Sequence, residues 1–150
     1  MPFNMDAGVK SLYETVTTIL RSDATLKSLV SYDSKNPNIR RGFQTEGSWK
    51  ILVVFYFQPE IVFTDVDARL RKVPLILQLY SKENDLILYD IGERIIELLD
   101  EAQGELTKVG KVFVFDSAYD SEIVALNKDV EKQSFNRALR FMITFRKEGD

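Results

Sequence analysis

The chain has 150 residues, 45% of them apolar and 29% charged. A chain of about that length buries roughly two-thirds of its unfolded surface, so residues 1–150 are expected to form one globular domain without staples. Twenty basic against 23 acidic residues leave a formal charge of −3, which removes the broad positive field on which sequence-independent duplex binders depend. Histidine and cysteine are absent, and with them go disulfides, Cys/His zinc sites, thiolate nucleophiles and imidazole acid–base chemistry.

No apolar run approaches the ~18 to 20 residues that span a bilayer, and the opening MPFNMDAGVK lacks the charged-then-apolar order of a signal peptide. Synthesis in the cytoplasm and no membrane partner are expected. Val9, Leu12, Tyr13, Val16, Ile19 and Leu20 follow helical spacing and predict a helix over about residues 5–21. Ser22 or Asp23 then caps a second short helical segment carrying Leu26, Leu29 and Val30. Residues 31–48 collect Asn, Pro, Gly, Ser and charges without a period, and read as a surface connection.

WKILVVFYF, residues 49–57, is almost continuously apolar and reads as a strand covered on both faces, ended by Pro59. Residues 61–66 read as a further strand or the return of a hairpin. Leu75, Leu77 and Leu79 then alternate with Ile76, Gln78 and Tyr80 in a central strand. After SKEND, with Asn84 or Asp85 as cap, Ile87, Ile91, Ile95, Leu98, Leu99 and Ala102 predict the best helix, stopped by Gly104. Residues 111–116 read as a short strand followed by a polar segment, SAYDSEIVALNKDVEKQ. In the last strand Phe135, Leu139, Phe141, Ile143 and Phe145 point one way, and Asn136, Ala138, Arg140, Thr144 and Arg146 the other. This order predicts an α+β fold: a mostly antiparallel sheet with two main helices packed on one face.

Charge is unevenly placed. Residues 83–131 hold thirteen acidic and four basic side chains, a net of −9, whereas residues 132–147 hold five basic and no acidic ones. Such blocks are either solvated faces with loose local pairs or unlike patches that meet across a subunit boundary.

Residues 42–48, GFQTEGS, have the glycine spacing of a phosphate-binding loop. Ser48 stands where the lysine is needed, however, and a strand follows instead of a helix. Asp65 and Asp67 lack a third metal ligand at any recognisable spacing, and with Arg69, Arg71 and Lys72 read as a solvated turn; Asp116 and Asp120 are no stronger as a carboxylate pair. No cofactor and no metal are expected. The compact basic features are Arg40-Arg41 followed by Phe43, and Arg69, Arg71 and Lys72; neither sits in a base-stacking motif, and Phe113, Phe115, Phe141 and Phe145 occupy core positions. Specific nucleic-acid readout is therefore unsupported, whereas an acidic wall past which a duplex slides remains open.

A first helix ending near SDATLKSLV, a PLILQLYSKEN strand, the helix DLILYDIGERIIELLDEA, a GKVFVFD strand and the long NRALRFMITFRKE strand run in an order that resembles the tail-terminator, or tail-completion, proteins of long-tailed bacteriophages. The likeness spans nearly the whole chain and rests on element order, with no invariant signature residue. It implies a hexameric ring of identical subunits that caps the tail tube, stops its polymerisation and meets a neck or head-completion protein, with DNA passing and not specifically bound. It also implies residence at the head-proximal end of the virion tail; no enzymatic activity is expected, since the chain lacks the usual acid–base and nucleophile sets. A ring needs unlike patches on each subunit. On that reading Arg69, Arg71, Lys72, Arg140 and Arg146 serve a subunit or tube interface, and Glu93, Glu97, Glu101, Asp116 and Asp120 a lumen or acidic partner face. The stretch from Phe57 to Pro74 is long enough to act as an arm, and its charged IVFTDVDARLRK content departs from the family pattern. A head-completion or neck connector, and an unrelated small-molecule-binding regulatory domain of the same fold class, remain alternatives.

Overall fold

The computed structural model describes residues 5–43, 45–58, 61–62, 71–100, 108–109, 112–129 and 133–147. In chain order the elements are helices α1 (Met5–Ser22) and α2 (Ala24–Val30), strands β1 (Ile39–Arg41), β2 (Ile51–Phe57), β3 (Ile61–Val62) and β4 (Arg71–Ser81), helix α3 (Ile87–Leu99), and strands β5 (Lys108–Val109), β6 (Val112–Asp129) and β7 (Ser134–Lys147). The strands make one seven-stranded sheet in the order β1-β2-β4-β7-β6-β5, with β3 also paired to β4. Among the described strand pairs only β1–β2 is parallel. This is the α+β, mostly antiparallel architecture that the pattern predicts.

Alternation decides which side of the sheet the helices cover. Phe55, Leu77 and Leu139 stand side by side across β2, β4 and β7, as do Phe57, Leu75 and Phe141. With Val53, Val73, Leu79, Ile143 and Phe145 they form one face, and onto it pack Leu12, Val16 and Leu20 of α1, Leu26 and Val30 of α2, and Leu88, Ile91, Ile95 and Leu99 of α3. Each fully buried Leu, Ile or Phe of this kind contributes about 1.5 to 3 kcal/mol relative to exposure. All three helices therefore share one face.

The opposite face is roofed by its own side chains. Leu52 and Val54 are buried there with Trp49 and Tyr80. The Trp49 ring lies 5.8 Å from that of Tyr80, its Nε1 donates to the Thr45 carbonyl at 2.7 Å, and the Lys82 ammonium sits 4.2 Å above it. The Tyr80 hydroxyl donates to Gln78 Oε1 at 2.7 Å. Burial of the Tyr56 phenol, reinforced by the neighbouring Tyr80, pushes its pKa up.

Three local expectations change. The connection over residues 31–48 contains a strand, because Asn38 and Ile39 are buried and Asn38 Nδ2 donates to the carbonyls of Val30 at 2.7 Å and Ile51 at 3.1 Å. That amide ties the end of α2 to the start of β2 and lays β1 alongside. The polar segment after residue 116 is mostly strand: β6 continues to Asp129 against β7, with register irregularities between Val114 and Asp116, Tyr119 and Ser121, Glu122 and Val124, and Val124 and Asn127. The cap of α3 is Leu86, which makes no side-chain cap bond. Asn84 instead accepts the Leu86 N–H at 2.8 Å, in the turn just before the helix. Helix α3 ends at Leu99; Gly104 and Ala102 lie outside the described residues, as do Asp65 and Asp67.

Candidate interaction surfaces

Helix α3 presents two stripes. Leu88, Ile91, Gly92, Ile95 and Leu99 are buried, and the stripe opposite carries Leu86, Tyr89, Asp90, Glu93 and Glu97, all exposed. Amphipathic spacing explains the acidic members of that outer stripe. It does not explain Leu86 at 63% exposure or Tyr89 at 47%. At the side of the helix Arg94 makes two bonds to Asp23, the N-cap of α2, and a third from Nη1 to Glu97 Oε2 at 2.8 Å. Those hydrogen bonds hold the Asp23 carboxyl below its ordinary value of 3.8 against the opposing effect of burial, and push the Arg94 guanidinium up.

Gly92 marks where β7 touches α3. Arg137 follows Val53 and Leu79 in register on the helix side of the sheet. Its guanidinium runs under α3, ion-pairs with Glu122 of β6, lies 5.0 Å from the Tyr89 ring and reaches the Leu88 carbonyl at 3.4 Å. A Cβ on residue 92 would collide with Arg137 Nη1. On the other face of the hairpin Arg140 Nε bonds Asp120 Oδ2 at 2.6 Å, with both side chains between one-third and two-fifths exposed.

At the far end of the sheet, Arg21, Arg40, Arg41, Phe43 and Glu46 line a surface cleft of about 680 Å³. Arg21 reaches from α1 to the Ile39 carbonyl with Nε at 3.0 Å and Nη2 at 2.7 Å. Arg40 donates to the carbonyls of Pro37 at 2.5 Å and Glu46 at 2.6 Å. Both guanidiniums are thus held by neutral oxygens. Arg41 is exposed, and Phe43, 75% exposed, rests on the Tyr56 ring at 4.4 Å.

The residues singled out from the sequence are dispersed by the fold. Arg71 pairs through its backbone with Val62 and Phe145, and Lys72 beside it is half-buried at the same end of β4. Arg146 lies opposite Phe113, and Asp116 opposite Thr144. Glu93 and Glu97 share the outer stripe of α3. Arg140 and Asp120 are brought together within one chain. Arg69, Glu101 and most of the 57–74 arm lie outside the described residues. Sequence reading passed over Arg137 and Arg21. Arg137 had two available signals: it stands in register with the apolar set of its strand, and a glycine interrupts the facing helix. Arg21 carried none, since a basic residue in the last turn of a helix is ordinary.

No protein-family model matches the chain, and no curated protein matches it. Eighteen chains of solved structures do. One belongs to the "Virion of native gene transfer agent (GTA) particle"; it superposes with a TM-score of 0.68 at 13% identity, over 93% of this chain and 96% of that one. At that identity the likeness shows a shared fold, and coverage of both chains means that the fold is shared over nearly their whole length. Among the described residues no helix is long and apolar enough to cross a membrane.

Proposed function

We propose that this chain is a structural protein of a phage-like virion and, within that class, a tail terminator acting as one unit over its whole length. Six copies close into a ring on the head-proximal end of the tail tube, halt its growth and offer the neck a surface. The observation that carries this reading is the fold held in common, almost end to end, with a chain of the gene transfer agent virion; the element order described above supplies the finer assignment. Its work is assembly, not catalysis. One ring face takes the place of a tube subunit's partner, the other does not, and further tube subunits have nothing to add to.

In this reading Arg69, Arg71 and Lys72 belong to the 57–74 arm, Arg140 and Arg146 to the same subunit or tube interface, and the acidic set to a partner or lumen face. Arg140 and Asp120 contribute as one ion pair, not as separate charges. Duplex DNA passes without binding, since the chain's overall charge repels phosphate.

Electron microscopy of particles made without this protein tests the reading. Overlong tails unattached to heads are expected. Tails of normal length overturn termination; if those tails are also detached from heads, the protein is a neck connector.

A further inference from the structure

The arginine cleft at the β1 end carries an excess of positive charge. Arg21, Arg40 and Arg41 make no ion pair among the described residues, and Glu46, the carboxylate that lines the cleft with them, gives its backbone oxygen and not its side chain to Arg40. Glu14 of α1 lines the adjoining hollow with Arg21 and Arg41, so three guanidiniums stand against two carboxylates and one positive charge is left over. Like charges gathered in a partly enclosed surface repel one another until an anion arrives. Because carbonyl oxygens already hold Arg21 and Arg40 in place, a docking anion does not have to order them. Phe43 adds an exposed aromatic ring at the lip, the residue type that anchors protein interfaces.

The outer stripe of α3 has the matching chemistry. Leu86, Tyr89, Asp90 and Glu93 recur at i, i+3, i+4 and i+7, so they form one continuous strip, apolar at its start and acidic beyond. Asp90 and Glu93 make no ion pair among the described residues, unlike Glu97, which Arg94 holds. The two surfaces face different ways. Phe43 stacks on Tyr56, and Tyr56 alternates with the helix-facing Phe55 and Phe57, so the cleft's lip looks away from the helices while α3 lies among them. Within one chain they do not face each other.

We propose that the arginine cleft, with Phe43 at its lip, receives the Leu86–Glu93 strip of α3 from a second copy of this chain. The contact joins two different patches and is therefore head-to-tail, which closes into a ring when the rotation between copies divides a full turn. It deepens the ring reading above and rests on it.

The absence of cysteine makes the test direct. A Phe43→Cys copy and a Tyr89→Cys copy, carrying different tags, are co-expressed and oxidised, with Ser34→Cys replacing Tyr89→Cys as control, while light scattering gives the mass of the wild type. A multimeric wild type with a mixed 43–89 disulfide well above the 43–34 control supports the contact. A multimeric wild type whose 43–89 yield equals the control overturns this contact and leaves the ring standing. A wild type that is monomeric both in solution and on tail tubes overturns the ring and the contact together. As a second measurement, Arg41→Glu is expected to raise the dissociation constant at least about tenfold, with recovery when it is co-expressed with Glu93→Arg. Loss without recovery counts against the pairing.

Discussion

Arg94 of α3 grips Asp23 across a sequence separation of 71 residues, through Nε to Oδ2 at 2.9 Å and Nη2 to Oδ1 at 2.6 Å. The same carboxylate accepts the Leu26 N–H at 2.8 Å as the cap of α2. One side chain thus starts a short helix and anchors it to α3. Asp23→Ala is expected to cost at least about 1 kcal/mol from the cap alone. Asp23→Asn, which keeps the capping oxygen, is expected to cost less. Urea denaturation of the two variants checks the order.

The pH dependence of that pair has a definite sign. Arg94 lowers the folded-state pKa of Asp23 beneath its ordinary 3.8, so between the two values the unfolded chain binds more protons. The stabilisation is complete above the unfolded value and disappears as pH falls through the folded one. Melting curves of wild type and Asp23→Asn are expected to differ at about pH 6 and to converge as the pH falls through the folded-state value.

Gly92 and Arg137 are expected to be coupled. In an Arg137→Ala background, Gly92→Ala removes a flexible residue from a helix interior and stabilises by about 1 kcal/mol. In the wild type the same methyl displaces a guanidinium that holds Glu122, Tyr89 and the Leu88 carbonyl, so the gain is lost. A double-mutant cycle in urea measures the difference, and additivity within about 0.3 kcal/mol counts against the coupling.

Asn38 is buried and uses both ends of its amide: Nδ2 donates to Val30 and Ile51, and Oδ1 accepts the Asp33 N–H at 3.1 Å. Asn38→Ala strands three backbone groups and is expected to destabilise by about 2 to 3 kcal/mol. The urea midpoint is expected to fall with little change in slope.

Reversal of Arg69 and Arg71 to Glu is expected to weaken association with the ring or tube while leaving the melting temperature within about 2 °C of wild type. Sedimentation of tubes with bound protein, paired with a thermal melt, reads both quantities. Equal loss of both assigns these residues to the fold.

What the sequence made legible was the part governed by a single period. The alternation through Leu75, Leu77 and Leu79 and the helical spacing through Ile91, Ile95 and Leu99 each mark one apolar face, and the structure buries both sets, although Ile76 and Tyr80 on the strand's other face are buried as well. Strand β6 was illegible beyond Asp116 because its register slips repeatedly. Each slip of that kind resets which residues point inward, so no two-residue repeat survives. Strand β1 is three residues long, too short to carry any period, and its place depends on a buried amide from the residue before it. The charged clusters fail to show for a different reason: Arg21 stands 18 residues from the carbonyl it holds, and Asp23 and Arg94 meet only after the helices have packed. Element order carries none of this.

The reach of Arg21 to Ile39 bears on how the molecule behaves in a crowd. Asn38 O and Gly42 N turn inward to β2, so by alternation the Ile39 carbonyl points outward from the sheet margin, where a foreign strand would otherwise zip on through its backbone. The guanidinium occupies that oxygen with two donors. Backbone pairing by a foreign strand is therefore blocked at this carbonyl, which makes indiscriminate stacking into fibres harder at the β1 margin.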